Sequence, residues 1–367
     1  MPRILTVFGT RPEAIKMAPL VHELNRRDCE AVTCVTAQHR QMLDQVLDWF
    51  QIKPDYDLNL MLPNQTLATL TARVLTGVSE VIEQVQPDVV ITQGDTTTAM
   101  VAALAAFYLR VPVGHVEAGL RTRDIYNPFP EEVNRHMISV ISTYNFAPTQ
   151  RACEALLLEN VPAESIYVTG NTVIDALKWT VAQPHDLNVA LPLDTGHRLI
   201  LVTAHRRESF GPEFESLCRA LRQIAERNED VRLVYPVHLN PNVQKPVFEI
   251  LSGVDRVHLI DPLAYPDFAH LMNRAALVIT DSGGLQEEAP ALGKPVLVMR
   301  RTTERPEAVE AGTARLVGTD TDRIVSAAEE LLHNPAAYSA MATAISPFGD
   351  GHAAERIADI LLGVGAR

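Results

Sequence analysis

The sequence contains little cysteine and no long apolar run. Its four cysteines, Cys29, Cys34, Cys153 and Cys218, include no CxxC pair, which disfavours a disulfide or zinc framework in a chain of 367 residues. The strand-like start at residues 4–8 is too short for a signal peptide, and the longest apolar helix candidate, residues 99–109, is far below the roughly 20 residues that span a bilayer. These absences predict a cytoplasmic protein without a membrane segment.

Clusters of basic residues are also missing. The chain carries 32 lysines and arginines against 45 aspartates and glutamates, which gives a formal net charge of −13 at pH 7. This balance lacks the basic footprint of a nucleic-acid-binding protein, so that class of partner is not expected. A nucleotide is still an acceptable ligand, because a few local cations outweigh the global charge at short range.

Several cofactor and metal motifs are absent. No GxGxxG stands at a strand–helix junction, and the chain has neither a Walker A motif nor an HExxH pair. A Rossmann dinucleotide site and an ATPase are therefore disfavoured, and nothing indicates zinc. We expect no cofactor and no metal.

What the sequence does contain is a regular alternation of short apolar runs with longer amphipathic segments. At roughly 100–200 residues per domain, two domains are expected. Runs that are apolar throughout are typical of strands covered on both faces, and their alternation with helices predicts parallel sheets with right-handed crossovers. The predicted strands are residues 4–8, 31–36, 89–92, 113–116, 144–147, 199–203, 232–235, 257–260, 277–280 and 296–299.

A stretch without helical period, residues 183–197, contains prolines and a glycine and is interpreted as a linker. It divides the chain into two domains, residues 1–182 and 198–350. The expected fold class is α/β, with two Rossmann-like, doubly wound parallel-sheet domains that face one cleft. Sheets of this kind bind ligands at the carboxyl ends of their strands.

The loop after the first predicted strand carries candidate phosphate ligands. Pro12 suits the first turn of a helix, where free backbone amides and the helix dipole favour an anion. Arg11 and Lys16 could add charge-assisted bonds. A capped helix start with solvated basic side chains explains the same residues equally well.

A second loop, residues 281–288, follows the predicted strand at 277–280. Gly283 and Gly284 let a ligand approach the backbone closely, and Ser282 suits either a helix cap or a phosphate oxygen. Glu288 suits the hydroxyl groups of a ribose, or simple compensation of the helix dipole.

Acidic side chains and a histidine follow other predicted strands. Asp95 follows residues 89–92, Glu117 follows 113–116 and His205 follows 199–203, while Glu131 and Glu132 open a helix. A single acid in such a position is commonly a helix cap, which is the alternative for Asp95. Three acids and a histidine beyond strand ends favour proton transfer, because carboxylates in a closed cleft can have raised pKa values.

Together these segments resemble the non-hydrolysing UDP-N-acetylglucosamine 2-epimerases of bacteria, in family order and over almost the whole chain. The matching segments are GTRPEAIKMAPL, TQGDTTTA, HVEAGLRT, PFPEEVNR, HRRESFG, DSGGLQEEAPALGKPVLVMR and TTERPEAVEAG. The resemblance implies the glycosyltransferase-B type fold, with a C-terminal helix at residues 353–362 that crosses back to the first domain.

The resemblance also implies a reaction. Such enzymes interconvert UDP-N-acetylglucosamine and UDP-N-acetylmannosamine by eliminating UDP to give 2-acetamidoglucal and adding UDP back after protonation of the opposite face. This chemistry needs an acid, a base and stabilisation of the leaving diphosphate, but no redox cofactor. A homodimer is typical of the family.

Site residues are carried over position by position from the resemblance. Asp95, Glu117 and Glu131 would be the acid–base carboxylates, and His205 a catalytic residue near the diphosphate. The implied substrate-binding residues are Arg11, Lys16, Phe268 near uracil, Ser282, Gly283 and Gly284 at phosphate, Glu288 at ribose, and Arg305.

Many members also bind a second UDP-N-acetylglucosamine as an allosteric activator. The segments that would line this site contain Gln38, His39, Gln41, Arg206 and His238. Asn64 stands where some members carry an arginine for the activator, which bears on whether activation is retained. Ala204 replaces a frequent glycine, which bears on the backbone before His205.

Three alternatives share this pattern. A hydrolysing epimerase would release UDP and free N-acetylmannosamine, a glycosyltransferase of the same fold would need an acceptor, and a UDP-sugar sensor would bind without turnover. The carboxylates disfavour the sensor, because phosphate and uridine binding needs none of them.

Overall fold

Two parallel sheets organise the chain. The structure, a computed structural model, describes residues 1–36, 40–60, 65–187 and 196–363. One unit comprises Met1–Ala176 with Phe348–Arg367, and the other comprises Leu177–Pro347. Each unit is built around one of the two sheets.

The sheet of the first unit has seven strands, all paired in parallel. They are β1 (Arg3–Phe8), β2 (Glu30–Val35), β3 (Tyr56–Asp57), β4 (Val89–Gln93), β5 (Val113–Val116), β6 (Tyr144–Ala147) and β7 (Ile166–Val168). Their order across the sheet is β3-β2-β1-β4-β5-β6-β7. The central strands are buried along nearly their whole length, as their apolar sequences require.

The sheet of the second unit has six parallel strands. They are β8 (Arg198–Thr203), β9 (Val231–Pro236), β10 (Val257–Ile260), β11 (Leu277–Thr280), β12 (Val296–Val298) and β13 (Ala314–Leu316). Their order is β10-β9-β8-β11-β12-β13.

Helices connect the strands. In chain order they are α1 (Arg11–Asn25), α2 (Arg40–Trp49), α3 (Leu67–Val85), α4 (Thr97–Tyr108), α5 (Glu131–Ile141), α6 (Gln150–Leu158), α7 (Thr172–Ala182), α8 (Pro212–Arg227), α9 (Pro241–Leu251), α10 (Tyr265–Arg274), α11 (Leu285–Ala291), α12 (Pro306–Glu310), α13 (Thr321–His333), α14 (Pro335–Ala342) and α15 (Ala353–Leu361). The last helix belongs to the first unit, where Asp359 forms an ion pair of 3.0 Å with Arg27, just after the end of α1.

The predicted doubly wound α/β fold is confirmed. Each of the ten predicted strands is present to within one residue at either end, and three further strands, β3, β7 and β13, escaped prediction. These three lie at or next to the edges of the sheets and have only two or three residues each. Strands this short leave no apolar run, which is the signal that marks strands covered on both faces.

All four cysteines are free, and burial raises the pKa of Cys34 and Cys218 to about 12. Over the described residues, no helix combines the length and apolarity that a bilayer crossing requires. In the same part of the chain, no group of three or more histidine, cysteine or acidic side chains is placed to hold a metal ion.

One glycine near the carboxyl end of β5 is required by both its backbone angle and its surroundings. Gly119 has φ +91°, and a Cβ atom there would lie 2.3 Å from the carbonyl oxygen of Ala152. Gly211 has the same φ of +91° but no atom within 4 Å of the corresponding position. A comparison of alanine substitutions at the two residues therefore separates the cost of a steric clash from the cost of backbone strain.

We expect Gly119→Ala to lower the free energy of unfolding by about 3–5 kcal/mol and Gly211→Ala by only about 1–2 kcal/mol. Both substitutions place alanine at an unfavourable positive φ, but only the first forces the backbone of α6 to move. Denaturant unfolding followed by circular dichroism measures both losses. Equal losses would show that α6 does not press on Gly119.

Candidate active site

The predicted site residues concentrate at loops where the strand order reverses. This reversal falls between β1 and β4 in the first sheet and between β8 and β11 in the second. Adjacent loops diverge at such a point and leave a crevice at the carboxyl ends of the strands. The loops after these four strands contain Arg11, Asp95, His205 and Ser282.

The start of α1 is capped by side chains of its own first turn. Thr10 caps the helix, and the carboxylate of Glu13 accepts hydrogen bonds from the amides of Gly9 at 2.9 Å and Thr10 at 2.7 Å. Glu13 is buried, which raises its pKa, and it also accepts a hydrogen bond from Thr96. Of the two interpretations that the sequence left open, the capped helix start is the one present, because this capping box uses the amides. Arg11 is exposed, so a phosphate contact from this loop would come from side chains.

Glu117 is held by a network of side-chain donors in the first unit. Lys16 Nζ lies 2.7 and 2.6 Å from its two carboxylate oxygens, and Asn171 Nδ2 lies 2.9 Å from Oε1. Gln93 also donates to this carboxylate. The backbone of Glu117 has φ +66°, a conformation that costs a residue with a Cβ atom about 1–2 kcal/mol. The network therefore fixes an acid in a strained position and brings Lys16 to it.

Asp95 is not a helix cap. The cap of α4 is Thr96, whose hydroxyl accepts a hydrogen bond of 3.1 Å from the amide of Ala99. This observation removes the structural alternative that the sequence left open for Asp95. Its carboxylate is therefore available for another role.

Side chains of α5 position Asp95. Arg135 donates to its carboxylate, and Asn134 Nδ2 donates to its carbonyl oxygen at 2.8 Å. Burial raises the pKa of Asp95; the positive charge of Arg135 opposes this, and the negative charge of Glu117 adds to it. A carboxyl group whose pKa moves toward neutrality is suited to proton transfer.

The structure distinguishes the two glutamates that open α5. Glu132 is fully buried and accepts hydrogen bonds from the amides of Thr122 at 3.1 Å and Arg123 at 2.8 Å, so it orders the preceding loop. Glu131, the first residue of the helix, is only half-buried. Of the pair, Glu131 is the one that a ligand could reach.

In the second unit, Asp281 ties the loop after β8 to the loop after β11. Its carboxylate accepts hydrogen bonds from the amides of His205 at 2.6 Å and Arg206 at 2.7 Å. The His205 ring stacks on His238 with centroids 5.3 Å apart and an interplanar angle of 13°. Burial lowers the pKa of His205, while the negative charge of Asp281 acts in the opposite direction. Two residues assigned to the activator, Arg206 and His238, are thus neighbours of His205.

The Ser282–Gly284 loop presents backbone amides rather than a side-chain cap. The cap position of α11 is Gly284, so the expectation that Ser282 could cap this helix is wrong. Within the described part of the chain, the amides of Gly283 and Gly284 donate no hydrogen bond. A Cβ atom at Gly283 would lie 3.8 Å from Arg206 Nη2, so this guanidinium lies beside the loop. Free amides beside a cation suit an anion.

The contacts of the other predicted site residues say less about their roles. Phe268 and Glu288 are half-buried on α10 and α11, and Arg305 donates to the buried Glu287. Gln38, His39 and Asn64 lie outside the described residues, and the side chain of Gln41 is not described.

A cavity of about 650 Å³ lies in the second unit, near the start of α10. Apolar and polar groups both line it, as a nucleoside would require. The lining residues are Val237, Gln244, Phe248, Leu259, Ile260, Asp261, Pro262, Leu263, Ala264 and Asp267.

Sequence reasoning missed the residues that support the candidate acids and histidine. Asn171 reaches Glu117 across 54 positions of the chain, and Asp281 reaches the amide of His205 across 76. No local pattern relates partners so far apart. Gln93 and Asp281 each come directly after a predicted strand. This position was the one signal in the sequence that could have indicated them.

The chain has two doubly wound domains. Carboxylates lie at the strand ends of the first, and a histidine and a serine–glycine loop lie at the strand ends of the second. This arrangement defines an enzyme of the glycosyltransferase-B type fold. The Epimerase_2 family, described as UDP-N-acetylglucosamine 2-epimerase, matches residues 22–362. The chain belongs to this family, and it is an isomerase.

Individual relatives cover the chain almost completely. The UDP-N-acetylglucosamine 2-epimerase of Yersinia pestis is 57% identical over 364 residues, which covers 97% of each chain. That of Escherichia coli strain K12 is 56% identical over 368 residues, 98% of each chain. The crystal structure of UDP-GlcNAc 2-epimerase from Neisseria meningitidis bound to UDP-GlcNAc has a TM-score of 0.87 and 47% identity, and the match covers 98% of this chain and 100% of that one.

We expect Arg135→Gln to raise the pKa of Asp95. Removal of the positive charge takes away the largest influence that opposes burial, so the protonated form persists to higher pH. Carbon-13 NMR titration of the aspartate carboxyl groups measures the change. Arg110→Gln removes the same charge from the exposed end of α4 and serves as the control. A pKa that responds equally to both substitutions, or to neither, would contradict the assigned influence of Arg135.

Proposed function

We propose that this UDP-N-acetylglucosamine 2-epimerase inverts carbon 2 of UDP-N-acetylglucosamine by elimination and re-addition of UDP, which gives UDP-N-acetylmannosamine. A base removes the proton from carbon 2, the electron pair of that bond forms the double bond between carbons 1 and 2, and the bond from carbon 1 to the diphosphate oxygen breaks. The intermediate is 2-acetamidoglucal. Return of a proton to the opposite face and re-addition of UDP complete the inversion without net oxidation.

The observation that supports this proposal best is the grouping of Asp95, Glu117 and Lys16 in the first unit. Lys16 lies against Glu117, and the charges of both act on the pKa of Asp95. Two proton-exchanging groups and a cation are what an elimination with protonation on either face needs. Glu131, half-buried at the start of α5, is proposed as the third acid–base carboxylate.

The second unit is proposed to hold UDP. The amides of Gly283 and Gly284 with Ser282 suit the phosphates, Glu288 the ribose, and Phe268 the uracil, while His205 stabilises the leaving diphosphate. Arg11, Lys16 and Arg305 complete the proposed substrate contacts. The Neisseria relative is bound to UDP-GlcNAc, which supports this substrate.

A second UDP-N-acetylglucosamine is proposed as an activator. Arg206 and His238 support this proposal, because both are neighbours of His205, so a ligand on them would act on a proposed catalytic residue. The remaining residues assigned to this role are Gln38, His39 and Gln41.

Proton NMR of the protein with UDP-N-acetylglucosamine alone, in deuterated water, tests the reaction. We expect UDP-N-acetylmannosamine with deuterium at carbon 2. UDP with free N-acetylmannosamine would indicate the hydrolysing reaction, and no change would contradict an epimerase. Started from UDP-N-acetylmannosamine, the same assay reveals activation as a lag that UDP-N-acetylglucosamine relieves.

The same assay tests the carboxylates. Asp95→Asn, Glu117→Gln and Glu131→Gln should each lower turnover by about a hundredfold or more, the scale of acid–base catalysis. Glu154→Gln, on the exposed face of α6, is the matched control and should retain normal turnover. Normal turnover in all three variants would remove these residues from the mechanism.

The protein is further proposed to form a homodimer through α5. Val133, Met137 and Val140 form an apolar stripe along this helix, with 38%, 43% and 83% of their surface exposed. Phe107 and Tyr108, at the end of the neighbouring α4, are also exposed. A contiguous apolar patch of this kind is typical of a protein–protein interface.

The double variant Met137→Glu, Val140→Glu should halve the mass measured by sedimentation equilibrium, because two charges from each protomer would be buried in the interface. Ile345→Glu, at an exposed apolar residue of the second unit, is the control and should keep the wild-type mass. A dimer that survives the double variant would place the interface elsewhere.

A further inference from the structure

Asp281 is a completely buried acid whose hydrogen bonding is incomplete. It is the first residue after β11, and its side chain is 0% exposed. One oxygen, Oδ2, accepts the amides of His205 and Arg206 at 2.6 and 2.7 Å. The other, Oδ1, has no hydrogen-bond partner among the described residues. Buried carboxylate oxygens are almost always satisfied, so a donor for Oδ1 is expected.

The ring of His205 is a candidate donor. Its Nδ1 atom lies 3.7 Å from Asp281 Oδ1, too far for a hydrogen bond but close enough that a small ring rotation would form one. The backbone of His205 is already tied to the same carboxylate. Asp281 therefore holds the backbone of this residue and lies beside its ring.

The surroundings restrict how else the ring can turn. His238 stacks on one face of it, and the Tyr235 hydroxyl donates to the carbonyl oxygen of Ala204 at 2.6 Å, which holds the preceding residue. The charged and titratable groups that act on the ring are Asp281, His238 and Arg206. Asp281 is the only acid among these three. A ring with Nδ1 toward Asp281 leaves Nε2, on its opposite edge, for a ligand.

We propose that Asp281 is a positioning residue for His205: it accepts the Nδ1 proton, fixes that tautomer, and stabilises the imidazolium form. His205 Nε2 then donates its proton to the diphosphate oxygen as the bond to carbon 1 breaks, and takes the proton back when UDP is added again. This inference rests on the proposed function, because it refines the role given there to His205.

Nitrogen-15 NMR of the histidine rings tests the contact without any turnover. The wild-type signal of His205, identified by its loss in His205→Asn, should show Nδ1 protonated and Nε2 unprotonated when the ring is neutral. Asp281→Asn should lower the pKa of His205, because it removes the charge that favours the imidazolium form. A neutral ring protonated on Nε2, or an unchanged pKa, would overturn the proposal even in an active epimerase. If Asp281→Asn does not fold, the wild-type tautomer alone decides.

A double-mutant cycle on turnover separates this role from that of a loop anchor. Asp281→Asn should lower kcat about tenfold to a hundredfold, the scale for groups that orient a functional side chain. In the His205→Asn background it should cause less than about a twofold further loss, because its partner is already gone. If the losses of kcat caused by the two substitutions multiply in the double variant, the proposal is overturned and Asp281 is a purely structural anchor of the loop. Failure of the wild-type protein to epimerise would refute the proposed function, while the tautomer and the pKa still decide the contact.

Discussion

All strands in both sheets are parallel, so all their carboxyl ends lie along one edge of the sheet to which they belong. The chemistry of the protein depends on this constraint. Where the order of the strands reverses, at β1 and β4 and again at β8 and β11, neighbouring loops separate and their side chains become accessible. Asp95 and His205 occupy two of these loops. The positions of the polar residues follow from sheet topology before any individual contact is considered.

Buried acids have three different roles at these loops. Glu13 and Glu132 satisfy backbone amides and order the chain around them. Asp281 also satisfies amides, but it keeps an oxygen near a histidine. Glu117 accepts hydrogen bonds from the side chains of Lys16, Gln93 and Asn171, on a strained backbone. An acid that binds amides orders a loop, whereas one that binds side chains can exchange such a contact for a ligand.

The anion-binding elements of the two units differ for a related reason. Both sheets lead from a strand into a helix through a loop that the sequence marks as a phosphate site. In the first unit, the carboxylate of Glu13 accepts the hydrogen bonds of the amides at the start of the helix. In the second unit, the amides of Gly283 and Gly284 have no such internal partner in the described chain. This contrast supports assigning acid–base chemistry to the first unit and phosphate binding to the second.

The sequence by itself determined the fold class, the long central strands and the loops that carry the site, because continuous apolar runs and their alternation with helices are local signals. It also indicated Asp95, Glu117 and His205 as site residues, because each lies within three residues of the end of a predicted strand. The edge strands β3, β7 and β13 escaped it, since two or three residues leave no periodic pattern. Only the tertiary structure decided that Thr96 and not Asp95 caps α4, that Glu132 and not Glu131 is buried, and that Asn171 and Asp281 support a distant acid and histidine. Those outcomes depend on contacts between residues far apart in the chain, and such contacts exist only once the sheets have assembled.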